Sequence, residues 1–195
     1  ACIHHELDRS SLMLLPTGPG ESQFPKIEGM HFDGLEWFPD NKRILFTGNE
    51  TGHAIRTWIY DLGTNKAAPV TPEGTRGMRV SPDGKWFITV DPHKLLMTPV
   101  DGGSSKTVID LQPGESVVRW SGDGRYLFLQ QRDAGSIKIS RLEIASNRKE
   151  PWLVVKAPEP GATFFDPLAL SADKKACATT FQRDLANLFL VRKLK

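Results

Sequence analysis

The sequence predicts an all-β chain built as a β-propeller of four-stranded antiparallel blades. Three observations predict it. One turn motif recurs around Asp40, Asp83, Asp123 and Asp173, at separations of 43, 40 and 50 residues. That spacing matches the period of about 40 to 50 residues at which propeller blades repeat. Every segment between the turns reads as strand, and none has the 3.6-residue periodicity of a long amphipathic helix.

The four copies are Leu35-Glu36-Trp37-Phe38-Pro39-Asp40-Asn41-Lys42, Met78-Arg79-Val80-Ser81-Pro82-Asp83-Gly84-Lys85, Val118-Arg119-Trp120-Ser121-Gly122-Asp123-Gly124-Arg125 and Leu168-Ala169-Leu170-Ser171-Ala172-Asp173-Lys174-Lys175. The residues five and three before each Asp are apolar. Period two predicts a first strand with one constant buried face. Trp37, Val80, Trp120 and Leu170 are therefore expected to be buried between blades. An Asp followed by Gly or Asn favours a tight turn, because Asp bonds the backbone ahead and Gly or Asn accepts positive φ.

A second strand follows each turn, at Ile44–Phe46, Trp86–Ile88, Tyr126–Leu129 and Ala176–Ala178. Its apolar residues on both faces predict a sheet covered on both sides. Third strands are expected at Arg56–Tyr60, Leu95–Thr98, Ile137–Leu142 and Leu188–Val191. Fourth strands are expected at Ala67–Val70, Lys106–Ile109 and Trp152–Val155. A β-sandwich has no reason to reuse one motif at this period.

Ala1-Cys2-Ile3-His4-His5 aligns with Ala176-Cys177-Ala178-Thr179-Thr180, so the chain is expected to open inside a blade. The resulting division is a partial blade 1–30, blades 31–73, 74–112 and 113–160, and a partial final blade 161–195. Propellers close with about four to eight blades. Two or three further blades are therefore expected upstream, in a six- to eight-bladed ring. Open blade edges predict self-association of the isolated chain.

Val80-Ser81-Pro82-Asp83-Gly84-Lys85 and Trp120-Ser121-Gly122-Asp123-Gly124-Arg125 resemble the repeat of TolB-type, WD40-like bacterial propellers. With Thr71-Pro72-Glu73-Gly74, Pro99-Val100-Asp101-Gly102-Gly103 and Asn187-Leu188-Phe189-Leu190-Val191, the sequence also resembles the C-terminal propeller of bacterial, notably acidobacterial, serine/threonine kinases. That resemblance implies a sensor or interaction module, extracytoplasmic if its kinase is membrane-anchored. The chain itself has no glycine-rich nucleotide loop, no His-Arg-Asp and no Asp-Phe-Gly.

No catalytic residue is predicted. Gly-x-Ser-x-Gly is absent, and Ser121 recurs as Ser81 and Ser171, which marks a structural turn position. The turn acids are one per blade, each with a turn to make. The histidines His4, His5, His31, His53 and His93 do not converge in sequence, so no metal and no cofactor are expected. With 25 basic and 23 acidic residues, the net charge of +2 gives no electrostatic case for nucleic acid. Arg192, Lys193 and Lys195 read as a solvated tail. No apolar run reaches the roughly 20 residues of a membrane helix.

The expected function is binding of a protein, peptide or small ligand through loops on a constant scaffold. The alternative is the gating propeller of a hydrolase or lyase whose catalytic domain lies elsewhere. The segments that differ most between blades are Gly48–Arg56, Asp91–Lys94, Gln131–Ser136 and Lys156–Phe165. Within them His53, Arg56, Arg132, Phe164 and Phe165 are the candidate contacts. Cys177 aligns with Ile44, Phe87 and Leu127 and is expected to be a buried small apolar residue. A Cys2–Cys177 disulfide requires the first and last blades to meet. Glu36 and Arg79 occupy equivalent places on neighbouring blades and are expected to pair between them.

Overall fold

The computed structural model describes residues 1–6, 9–27, 29–133, 135–156, 162–171 and 175–183, and the backbone alone of residues 5, 6, 9, 162–167 and 181–183. Asp173, the third strand expected at Leu188–Val191 and the basic tail lie outside the described residues.

Sixteen strands occur among the described residues. β1 (Cys2–Glu6) and β2 (Arg9–Met13) form a hairpin. Three four-stranded sheets follow, each antiparallel and in chain order: β3 (Met30–Trp37), β4 (Arg43–Glu50), β5 (Arg56–Asp61) and β6 (Lys66–Pro69); then β7 (Gly77–Met78), β8 (Trp86–Asp91), β9 (Lys94–Pro99) and β10 (Lys106–Asp110); then β11 (Glu115–Trp120), β12 (Tyr126–Asp133), β13 (Ser136–Glu143) and β14 (Arg148–Lys156). β15 (Ala162–Leu170) and β16 (Cys177–Arg183) begin another. These are propeller blades, each a meander with its first strand innermost. In the opening hairpin, β2 stands in the third-strand place, and Leu14 bridges Gln23 where a fourth strand would lie.

Four apolar cores separate the five sheets, in chain order. The first joins Leu12 to Ile44, Phe46 and Trp58. The second joins Phe38 and Leu45 to Val80 and Phe87. The third joins Ile88 and Leu95 to Trp120 and Leu127, and the fourth joins Phe128 and Ile137 to Leu168 and Leu170. Second strands alternate between adjacent cores, as Ile44/Leu45, Phe87/Ile88 and Leu127/Phe128 show. Period-two side chains in a sheet covered on both faces require this.

The residue three before each turn Asp always faces the preceding sheet. Val80, Trp120 and Leu170 are buried there, while Trp37 is only half-buried against the first core, its other flank opening toward the propeller axis. The expected constant face fails two residues earlier. Leu35 and Leu168 face backward with their partners, but Met78 packs into the third core and Val118 into the fourth. Arg79, between Met78 and Val80, has φ 56°, and the register of β11 shifts between Val117 and Arg119, making Val118 the bulged residue. A left-handed residue or a bulge reverses the alternation beyond it.

The recurrent turn is held by a serine as well as the aspartate. In the β7–β8 hairpin, Ser81 Oγ donates to Asp83 Oδ1 at 2.5 Å and accepts from Trp86 N at 2.9 Å, while Lys85 N donates to Asp83 Oδ1 at 3.1 Å. Ser121, Asp123, Arg125 and Tyr126 repeat the arrangement at the same distances. Gly84 and Gly124 take φ of 69° and 70° there, a region that favours glycine. Where Phe38 replaces the serine, Arg43 compensates: its Nε reaches Asp40 Oδ2 at 2.7 Å and its guanidinium stacks 4.4 Å over the Phe38 ring.

Cys177 corrects the sequence reading, being exposed rather than buried. Its aligned residues Ile44, Phe87 and Leu127 are covered in part by a third strand of their own sheet. No third strand stands beside β16 among the described residues, and a thiol is shorter than those side chains. Both cysteines are free.

Two substitutions test this packing. Trp120→Ala is expected to destabilise the chain by about 3–5 kcal/mol in a denaturant titration, because the side chain is 5% exposed and its Nε1 donates to Arg79 O at 2.8 Å. A loss under about 1 kcal/mol would place it outside the core. Gly77→Ala is expected to cost about 1–3 kcal/mol, since the added methyl would lie 2.7 Å from Thr57 Cγ2 and 2.8 Å from the Phe87 ring. An unchanged midpoint would contradict this close approach of neighbouring blades.

Candidate functional site

A meander places alternate connections at opposite ends of its sheet. The turns at Asp40, Asp83 and Asp123 lie at one end. The β4–β5, β8–β9 and β12–β13 hairpins and the connections between sheets lie at the other, where the predicted contact residues fall.

His53 sits in the β4–β5 loop, its Nδ1 2.9 Å from Glu73 Oε1 in the connection to the next blade. Glu73 Oε2 also accepts from Ala54 N at 3.3 Å. The hydrogen bond from His53, followed by that from Ala54 N, holds the Glu73 carboxyl below the usual carboxylate range. Arg56, at the start of β5, donates through Nη2 to Glu50 Oε2 at 3.0 Å and lies 4.5 Å over the Trp58 ring. His53 and Arg56 thus share one charged cluster on one blade. Arg132 is exposed near the end of β12, two blades further on. Phe164 and Phe165 lie in the first half of β15, where the backbone alone is described.

The Asp-turn end holds a second feature, which the sequence exposed only as a register. A cavity of about 550 Å³ opens among the innermost strands of three consecutive blades and β15. Glu36, Arg79 and Arg119, each four residues before its turn Asp, line it with Trp37 and Trp120. Arg79 N donates to Glu36 Oε2 at 2.7 Å, while the guanidinium Nη1 stays 3.9 Å from the same oxygen. The expected Glu36–Arg79 pair exists, then, but its tight contact is with the backbone. Arg79 Nε is buried without a hydrogen-bond partner. Arg119 reaches the next blade, donating Nη1 to Leu170 O at 2.6 Å and Nε to Trp120 O at 3.1 Å.

Burial pushes the Glu36 carboxyl above its usual range, against the opposing pull of the Arg79 charge and the Arg79 and Val80 N–H groups. No group of three or more His, Cys, Asp or Glu side chains among the described residues could hold a metal ion.

The meandering blades, stacked core on core around a shared innermost edge, define a β-propeller. More narrowly, the chain has the fold of TolB-type propellers. It superposes on TolB from Acinetobacter baumannii with a TM-score of 0.66, over 92% of this chain and 50% of that one, at 19% identity. It superposes on a protein assigned as TolB in Agrobacterium tumefaciens with a TM-score of 0.65, over 92% of this chain and 68% of that one, at 17% identity. The chain thus spans half the length of the Acinetobacter protein. An oligogalacturonate lyase solved in complex with manganese shares the fold at a TM-score of 0.54 and 13% identity, over 87% of this chain and 58% of that one. No protein-family model matches the sequence, and no curated protein matches it.

The raised Glu36 carboxyl has a signed consequence for stability. The folded state holds a proton that the unfolded chain has already lost, so stability falls as pH rises from the usual carboxylate range to the raised value. Glu36→Gln removes that dependence. Urea unfolding from about pH 4 to about pH 8 is expected to show the variant gaining stability relative to the parent as pH rises. A relative loss with rising pH would make Glu36 a stabilising ionised partner of Arg79 instead.

Proposed function

We propose that the chain is a non-catalytic binding module, the sensor or interaction propeller of a bacterial serine/threonine kinase, that engages a protein or peptide through its loop end. The blade limits 1–30, 31–73, 74–112, 113–160 and 161–195 belong to this reading. One observation carries it: the inter-blade cores reuse the second-strand register and the position three before each turn Asp, while the loop end varies. The β4–β5 loop runs from Thr51 to Ile55, whereas only Pro92 and His93 join β8 to β9. A rigid scaffold with variable loops is the arrangement binding proteins use. The kinase association is supported by the resemblance in Thr71-Pro72-Glu73-Gly74 and Pro99-Val100-Asp101-Gly102-Gly103.

The loop-end cluster suits polar recognition. His53–Glu73 is an exposed pair and Arg56–Glu50 a half-buried one at the surface, each worth about 0–1 kcal/mol to the fold. They are therefore free to exchange partners at little cost in stability. The fold shared with a lyase supports a second reading, a propeller gating a separate catalytic domain.

A photo-crosslinking side chain placed at His53 or Arg132 in the producing bacterium is expected to give a discrete adduct. The same group at Thr107, exposed on the outer strand β10, is expected to give none. Arg56→Ala is expected to lower the adduct yield from position 53 several-fold while changing stability by no more than about 1 kcal/mol. Equal labelling at all three positions would remove the loop-end reading. An upstream reading frame encoding a kinase domain and membrane helix supports the sensor; a hydrolase or lyase domain there replaces it with the gate.

A further inference from the structure

We infer that the cavity at the Asp-turn end is a binding site for an organic monocarboxylate with an apolar body, its carboxylate held by Arg79 and Arg119 and its body lying against Trp37 and Trp120. The inference goes beyond the loop-end reading, because this cavity lies at the opposite end of the blades.

Three observations carry it. First, two guanidinium groups face one cavity and that of Arg79 is under-satisfied. Arg79 Nε is buried with no acceptor, and its Nη1 stands 3.9 Å from Glu36 Oε2, beyond hydrogen-bond reach. Arg119 is held against the next blade through Nε and Nη1, which donate to the carbonyls of Trp120 and Leu170, and its guanidinium lies in the same wall. A buried unpaired donor costs about 1–3 kcal/mol, more when charged, so a guanidinium left short of acceptors is poised for an anion. Planar guanidinium groups match a carboxylate through paired N–H donors.

Second, the charge count selects the anion. Two guanidinium groups and one carboxylate leave a single positive charge when Glu36 is ionised, which one carboxylate balances and a phosphate dianion exceeds. Third, the rest of the wall is mostly apolar: Trp37, Val80, Val118, Leu168 and Leu170 line the cavity, with Ser121 the further polar side chain. Its volume of about 550 Å³ lies within the usual range of small-molecule sites, about 300–1,000 Å³. Glu36 competes for the same cations as the ligand, so it tunes affinity from within the site.

The test is titration of the 195-residue chain by calorimetry and tryptophan fluorescence. The probes are 3-phenylpropionate, its neutral amide, inorganic phosphate, and the tripeptide Gly-Gly-Phe with a free or amidated C-terminus. Saturable binding of a free carboxylate is expected, with the matching amide at least about tenfold weaker, a difference of about 1.4 kcal/mol. Tighter binding of the free tripeptide than of phenylpropionate assigns the carboxylate to a peptide end, and the reverse order assigns it to a free acid. Arg79→Gln and Arg119→Gln are each expected to weaken binding about tenfold. Glu36→Gln, which leaves both guanidinium groups in place, is expected to tighten it several-fold, a gain that loss of structure cannot produce. The inference is overturned if amide and carboxylate bind alike, if phosphate binds as tightly as the organic acid, if Glu36→Gln weakens or leaves binding unchanged, or if neither carboxylate saturates by about 10 mM, where binding energy falls below about 3 kcal/mol. None of these results bears on crosslinking at the loop end.

Discussion

The left-handed backbone at Arg79 is the constraint around which the innermost strands are arranged. A residue in the middle of a strand spends its N–H and C=O on its own sheet. Arg79, at φ 56°, leaves the ladder after the short β7 and turns both groups outward. Its N–H goes to Glu36 on the blade before, and its C=O accepts from the Trp120 indole on the blade after. Arg119 continues the series to Leu170 O. Four blades are thereby joined by directional bonds at the axis, where the apolar cores supply adhesion but no register. Such a conformation costs a non-glycine residue about 1–3 kcal/mol. Two charged or indole-donated hydrogen bonds and the burial of Trp120 offset a cost of that size.

The repeat was legible because its physical causes are local. A tight turn needs Asp with Gly or Asn, a doubly covered strand needs apolar residues on both faces, and both demands leave marks within eight residues. The second strands therefore fell where the sequence placed them, and the alternation of Leu127 and Phe128 between two cores followed from period two alone. The reversal at Met78 and Val118 was not legible. An arginine in the left-handed region carries no compositional signal, and Val118 as a bulge looks like any strand valine. The serine's part in the turn was visible as recurrence, though its bond to the Asp carboxylate needed coordinates.

The site was legible to a lesser degree, for a related reason. Loop variability picked out His53 and Arg56, and the structure adds what variability cannot show, that each already faces a glutamate across the loop. Arg132, Phe164 and Phe165 share that end of the sheets by strand direction. The axial residues were visible only as an alignment column of Glu36, Arg79, Arg119 and Ala169. Whether a column converges depends on ring geometry, which no single repeat encodes.

The same geometry separates the two ends of the protein energetically. At the loop end, the pairs are exposed or half-buried and partly screened, so substitutions there have little effect on folding. At the axis, Glu36 is desolvated enough that burial outweighs a neighbouring arginine. Charges in that setting act on one another strongly, and a change at one alters its neighbours. The inner strands therefore link scaffold and cavity: the backbone of Arg79 ties the blades together while its guanidinium stays short of acceptors. The main chain of Arg79 is bonded to the blades on either side, and its side chain lines the cavity that those blades enclose, so scaffold and cavity share one residue.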